Sequence, residues 1–127
     1  MTVELIRIVI PVRSKWASAT FLASILDVSA GPPRGSFVPV TVGNGVSLDF
    51  ADAAGFGSYD CAFLVSETEF DAAFARIRSA GIPYYAGPLH QRPGEVSHLR
   101  GGRGVWFDDP DGHTIEITTR PRGGRLD

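Results

Sequence analysis

Gly104-Val105-Trp106-Phe107-Asp108-Asp109-Pro110-Asp111-Gly112-His113-Thr114-Ile115-Glu116-Ile117 is the stretch that decides the fold. Val105 to Phe107 and Thr114 to Thr118 are β-branched and aromatic, so each reads as a strand. Between them lies a tight turn, with Pro110 at an early corner and Asp111-Gly112 at the exit. Asp108, Asp109 and Asp111 look like a metal cluster on paper. They lack the ligand spacing of a calcium loop, so turn chemistry is the better reading.

Working backward, a strand and a helix precede this hairpin. Cys61 to Val65 is an apolar run preceded by Asp60, and Ser66 with Glu69 forms a capping box. Phe70, Phe74 and Ile77 follow at helical spacing, and Gly81 with Pro83 ends the helix. The same order occurs earlier in the chain. Leu5 to Val12 predicts a buried strand, and Ser14 caps a helix that runs to Leu26. Gly31 to Gly35 forbids regular structure. Phe37 to Val42 and Val46 to Phe50 then flank Gly43-Asn44-Gly45, a hairpin signal of type I′. A third strand belongs in this half if the unit is complete, but no segment marks it clearly. Residues 51–58 read as a linker.

The chain therefore repeats itself. Arg7-Ile8-Val9-Ile10 matches Asp60-Cys61-Ala62-Phe63, and Gly45-Val46-Ser47-Leu48-Asp49-Phe50 matches Gly112-His113-Thr114-Ile115-Glu116-Ile117. The first offset is 53 residues and the second is 67, so the extra 14 fall in the Gly-rich loop from Gly87 to Gly104. A half of this size could hardly cover its own sheet and needs a partner half.

The 127 residues suffice for one domain with a core. A net charge of −2 argues against a nucleic-acid partner. A single cysteine, Cys61, excludes a disulfide framework. No apolar run is long enough to span a membrane, and Met1-Thr2-Val3-Glu4 does not read as a signal peptide. A cytoplasmic protein is the expectation. Fifteen glycines punctuate the two copies. The basic tail, residues 120–127, is expected to fray.

The closing hairpin, set at the end of a second β-α-β repeat, resembles the vicinal oxygen chelate superfamily. That superfamily includes glyoxalase I, bleomycin-resistance proteins, fosfomycin-modifying transferases and extradiol dioxygenases. The resemblance covers residues 4–119. It implies an α+β fold of two β-α-β-β-β modules, 4–52 and 58–119, within one domain spanning 1–127. Their sheets would form an open eight-stranded cup around a pocket, usually in a homodimer. In metal-dependent relatives four positions face the cup centre, and here they read Arg7, Asp49, Asp60 and Glu116. Relatives commonly place His at the positions of Arg7 and Asp60. Arginine cannot ligate, because its guanidinium offers only donors. A divalent metal on Asp49, Asp60 and Glu116 would sit in a hard, oxygen-only site.

Arg7 is read either as a salt-bridge partner of Asp60 or Asp49, or as an anchor for an anionic ligand. Glu116 is a candidate base or ligand. Asp49 and Asp60 are candidate pocket liners. Cys61, next to Asp60 on a strand, faces the other way. His113 is expected to be solvated, whereas His90 and His98 lie in the inserted loop, where either could act as acid, base or ligand. Tyr84, Tyr85 and Trp106 could wall a flat ligand. Three functional readings follow. One is a metal-assisted lyase, isomerase or dioxygenase acting on a small molecule. Another is a metal-free binding protein for an anionic or aromatic compound. The third is a metal-free lyase or isomerase with Glu116 or a loop histidine as base.

Overall fold

A computed structural model of the chain describes residues 3–98 and 101–119. The chain divides into two compact units, Met1–Gly57 and Ser58–Asp127; the tail expected to fray lies outside the described residues. The first unit contains β1 (Arg7–Val12), α1 (Lys15–Leu26), β2 (Val38–Thr41) and β3 (Ser47–Asp52). The sheet order is β1-β3-β2, with β1 parallel and β2 antiparallel to β3. The Ser14 hydroxyl accepts from the Ala17 N–H and starts α1. Ala19, Leu22, Ala23 and Ile25 of the helix are buried, as are Ile10, Val12, Val38, Val40, Leu48 and Phe50 of the strands. Removing any of the larger of these would cost about 2–5 kcal/mol through lost transfer energy and a residual cavity.

Three expectations change in this unit. The apolar run of β1 predicts burial, yet Ile8 and Val9 are 41% and 42% exposed. Both residues lie on β1, one of the two edge strands of the sheet. Residues 51 and 52 are not linker. They continue β3, pairing with Pro11 and Val12, and the Asp52 carboxylate accepts from the Lys15 N–H at the start of α1. Finally, this unit has three strands among the described residues, with an isolated Ala30–Val40 bridge beyond β2. Pro32 and Pro33 follow Ala30 closely and lack the N–H groups that a longer ladder needs.

The second unit contains β4 (Asp60–Leu64), α2 (Glu67–Ser79), β5 (Tyr84–Tyr85), β6 (Gly104–Asp108) and β7 (Thr114–Thr118). The order is β4-β7-β6-β5, with β4 parallel to β7 and the remaining pairs antiparallel. The capping box of Ser66 and Glu69 is present in both directions. At the other end Ile82 N–H donates to Ile77 O and Gly81 N–H to Arg78 O, a Schellman pattern. Strand β5 is too short for periodicity to reveal. Arg103 clamps the start of α2, with its Nε 2.9 Å from Glu67 Oε1 and its Nη1 2.8 Å from Asp71 Oδ1. Its guanidinium also lies over the Phe70 ring, 4.3 Å from the centroid.

The two hairpins use one turn. Gly45 N–H donates to Val42 O, and Gly112 N–H to Asp109 O. Only the last loop residue of each takes a positive φ, 85° at Gly45 and 83° at Gly112. This is a three-residue loop closed by a left-handed glycine, not the type I′ turn that Asn44-Gly45 suggests.

Candidate functional site

Alternation along the strands of the second unit separates two faces. Cys61, Phe63, Val105, Phe107, Ile115 and Ile117 share one, and the last four are fully or nearly fully buried. The opposite face carries Asp60 and Ala62 of β4, Thr114 and Glu116 of β7, Trp106 of β6 and Tyr85 of β5. Trp106 is directly opposite Glu116 in the ladder, and Asp60 is opposite Thr114. A pocket of about 330 Å³ opens here, lined by Asp60, Ala62, Pro88, Trp106, Thr114 and Glu116, together with Cys61 between the first two. Glu116 and Trp106 are half-buried, which keeps a carboxylate beside an aromatic plane and partly shielded from water.

Tyr85 contributes differently from the expected wall. Its ring stacks on His90, centroids 4.3 Å apart, and His90 Nε2 lies 2.9 Å from Asp108 Oδ2. A carboxylate at this distance orients the imidazole. Asp108 pairs with Thr114, a pocket residue, so the His90–Asp108 pair borders the pocket. Sequence reasoning placed His90 in the loop but not this pairing, since 18 residues separate the partners. His98 is exposed and does not line the pocket.

His113 departs from the expected solvated position. It is 3% exposed, and its Nδ1 accepts from the Tyr59 N–H at 3.0 Å. The Tyr59 ring lies 5.3 Å away, tilted by 59°. The Asp109 carboxylate holds the preceding turn, its Oδ1 accepting from the N–H groups of Asp111 and His113. Burial pushes the Asp109 carboxyl up, against the pull of those hydrogen bonds. Burial also pushes up the Cys61 thiol, helped by the charges of Asp109 and Asp60, so it stays protonated and poorly nucleophilic.

In the first unit Asp49 is 1% exposed. Its Oδ1 lies 2.5 Å from the Ser47 hydroxyl, which donates to it. Arg34 Nη2 reaches Oδ2 at 3.1 Å and Oδ1 at 3.3 Å, and Arg7 Nε lies 3.9 Å from Oδ2. Arg7 is thus paired with Asp49. Arg34, in the Pro-Gly loop, was not singled out by sequence, because no pattern links a loop arginine to a strand carboxylate 15 residues away.

The four positions implied by the resemblance do not fit the metal of the metal-dependent relatives. Arg7 cannot ligate, and the Asp49 carboxylate is engaged by Arg34 and Ser47. Asp60 and Glu116 remain, two carboxylates without an imidazole. A set of that kind lacks the mixed nitrogen and oxygen donors that suit zinc or iron.

Comparison with known proteins agrees with this architecture. The sequence profile described as Glyoxalase/Bleomycin resistance protein/Dioxygenase superfamily matches residues 10–117. A solved structure titled oxidase ChaP-H2 is 52% identical, with 97% of this chain and 98% of that one covered and a TM-score of 0.94. Oxidase ChaP-H1 is 48% identical, covering 97% and 100%, also with a TM-score of 0.94. A metallothiol transferase, FosB of Shouchella clausii (strain KSM-K16), is 34% identical over 65 residues. That match spans 51% of this chain and 40% of the transferase. Among the described residues no helix is long and apolar enough to cross a membrane. The chain belongs to the glyoxalase/bleomycin resistance protein/dioxygenase superfamily.

Proposed function

We propose that this chain is an oxidase of small, flat aromatic compounds, binding them on the open face of the β4-β7-β6-β5 sheet. The observation that carries the reading is Glu116 standing opposite Trp106 in a pocket of about 330 Å³. The likeness to two proteins named as oxidases supports it. Trp106 offers a face on which an aromatic ring can stack. Glu116 then lies where it can take a proton from a ring hydroxyl, leaving an electron-rich phenolate; a catechol or hydroquinone so activated gives two electrons to dioxygen and becomes a quinone, and the dioxygen takes up the two protons released and leaves as hydrogen peroxide. His90, oriented by Asp108 at the border of the pocket, can pass a proton to the reduced oxygen. The resemblance implies that the chain acts as a homodimer, and light scattering in solution checks that part.

The test is oxygen uptake by the purified protein with a panel of catechols, hydroquinones and naphthols. Uptake that disappears in Glu116→Gln supports the proposal. Compounds that bind without any uptake would instead support a metal-free binding protein. That second reading draws on one observation, the engagement of Asp49 by Arg34 and Ser47.

A further inference from the structure

We propose that Arg7 and Arg34, held by the buried Asp49, form a binding site for the carboxylate of an apolar organic acid. Two guanidiniums meet one carboxylate, so the cluster keeps one net positive charge. The carboxylate is 1% exposed, while the arginine side chains are 56% and 58% exposed. The negative charge is therefore inside and the positive charge faces outward.

Geometry adds donors. Arg34 uses a single nitrogen, Nη2, for both Asp49 oxygens. Its Nε and Nη1 have no acceptor among the described residues, and the contact of Arg7 with Asp49 is through Nε alone. A guanidinium fork with donors to spare matches the two oxygens of a carboxylate. Asp49 and Ser47 fix the far side of Arg34, so less freedom is lost when an anion arrives. Val9 argues for an apolar body on the ligand. It pairs with Asp49 in the β1–β3 ladder, lies on the same face as Arg7 and is 42% exposed. A bare oxyanion would leave that surface wet, whereas a ring attached to the carboxylate would cover it.

The site lies in the first unit and does not depend on the oxidase reading. Calorimetric titration of the full chain with naphthoate, neutral naphthamide and inorganic phosphate tests it at low ionic strength. Naphthoate should bind at least about tenfold tighter than naphthamide, the scale of a charged hydrogen bond. Arg34→Gln and Arg7→Gln should each remove most of that preference, and Arg92→Gln, in an exposed loop, should keep it. Arg34→Gln leaves Asp49 short of a partner, so Arg34→Gln/Asp49→Asn repeats the test with the pair removed together. The acid-against-amide comparison needs no variant at all. Equal affinity for acid and amide, no binding of naphthoate, or phosphate competing as strongly as naphthoate would each overturn the proposal.

Discussion

Arg34 Nη2 lies 3.1 Å from Oδ2 of Asp49, joining an exposed loop to the most buried carboxylate of the first unit. Removing the arginine leaves a buried charge with Ser47 as its remaining close partner. A fully buried pair would cost several kcal/mol to break, but solvent reaches Arg34 and discounts that figure. Arg34→Met should therefore destabilise by about 1–2 kcal/mol. In urea unfolding, Asp49→Asn should recover much of the loss when combined with it. Strict additivity of the two substitutions would show that the contact contributes nothing.

The same pair shows where sequence reasoning stops. Local chemistry was legible in part: the Ser66–Glu69 capping box and the helix exit at Gly81 are settled by residues within a few positions, whereas the loop closed by Gly45 has three residues and is not the type I′ turn that Asn44-Gly45 suggests. The two-copy order was legible too, because Asp49 and Glu116 recur at matching places. Contacts such as Arg34–Asp49, His90–Asp108 and Tyr59–His113 join residues 15, 18 and 54 apart. They depend on how loops return to strands, which periodicity does not encode. The short strand β5 escaped for another reason, since two residues have no period.

Trp106 offers the proposed pocket its largest apolar surface. Replacing it with alanine should weaken binding of an aromatic compound by about tenfold, given about 0.5–1.5 kcal/mol for an aromatic pair plus lost buried area. Trp106→Phe should recover most of it. Fluorescence or calorimetric titration reads both, and unchanged affinity in the alanine variant would place the ligand elsewhere.

His113 occupies an interior position because it satisfies the Tyr59 N–H. His113→Leu fills similar space but leaves that donor unpaired, at a cost of about 1–3 kcal/mol. His113→Asn can present a side-chain oxygen near the Nδ1 position and should cost less. Thermal unfolding of the two variants decides the order, and a leucine variant as stable as wild type would remove the hydrogen bond from the account.

Acid should destabilise the second unit through α2. The Arg103 guanidinium hydrogen-bonded to Glu67 holds that carboxyl below its ordinary 4.5. The Ser66 N–H does the same for Glu69. Groups with a lowered folded pKa contribute stability above the unfolded value and lose it as the pH falls through the folded one. The loss therefore begins below about pH 4.5. Asp109 acts in the opposite sense, because burial raises it above 3.8 and its contribution is fullest in acid. Glu67→Gln and Glu69→Gln should flatten the acid arm of a melting-temperature profile, while Asp109→Asn should steepen it. A profile unchanged in all three would show that other groups control acid unfolding.

Gly45 and Gly112 allow the repeat itself to be tested. Both close a three-residue hairpin loop, with φ of 85° and 83°, and a side chain at either would meet no atom within 4 Å. Any cost of alanine is then conformational, about 1–2 kcal/mol for an L-residue held in the left-handed region. Gly45→Ala and Gly112→Ala should lose similar amounts, and asparagine, which tolerates that region, should lose less at both sites. Denaturant unfolding of the four variants gives the comparison. If alanine were harmless at one site and costly at the other, the two turns would not be equivalent, because their surroundings offer no steric reason for a difference.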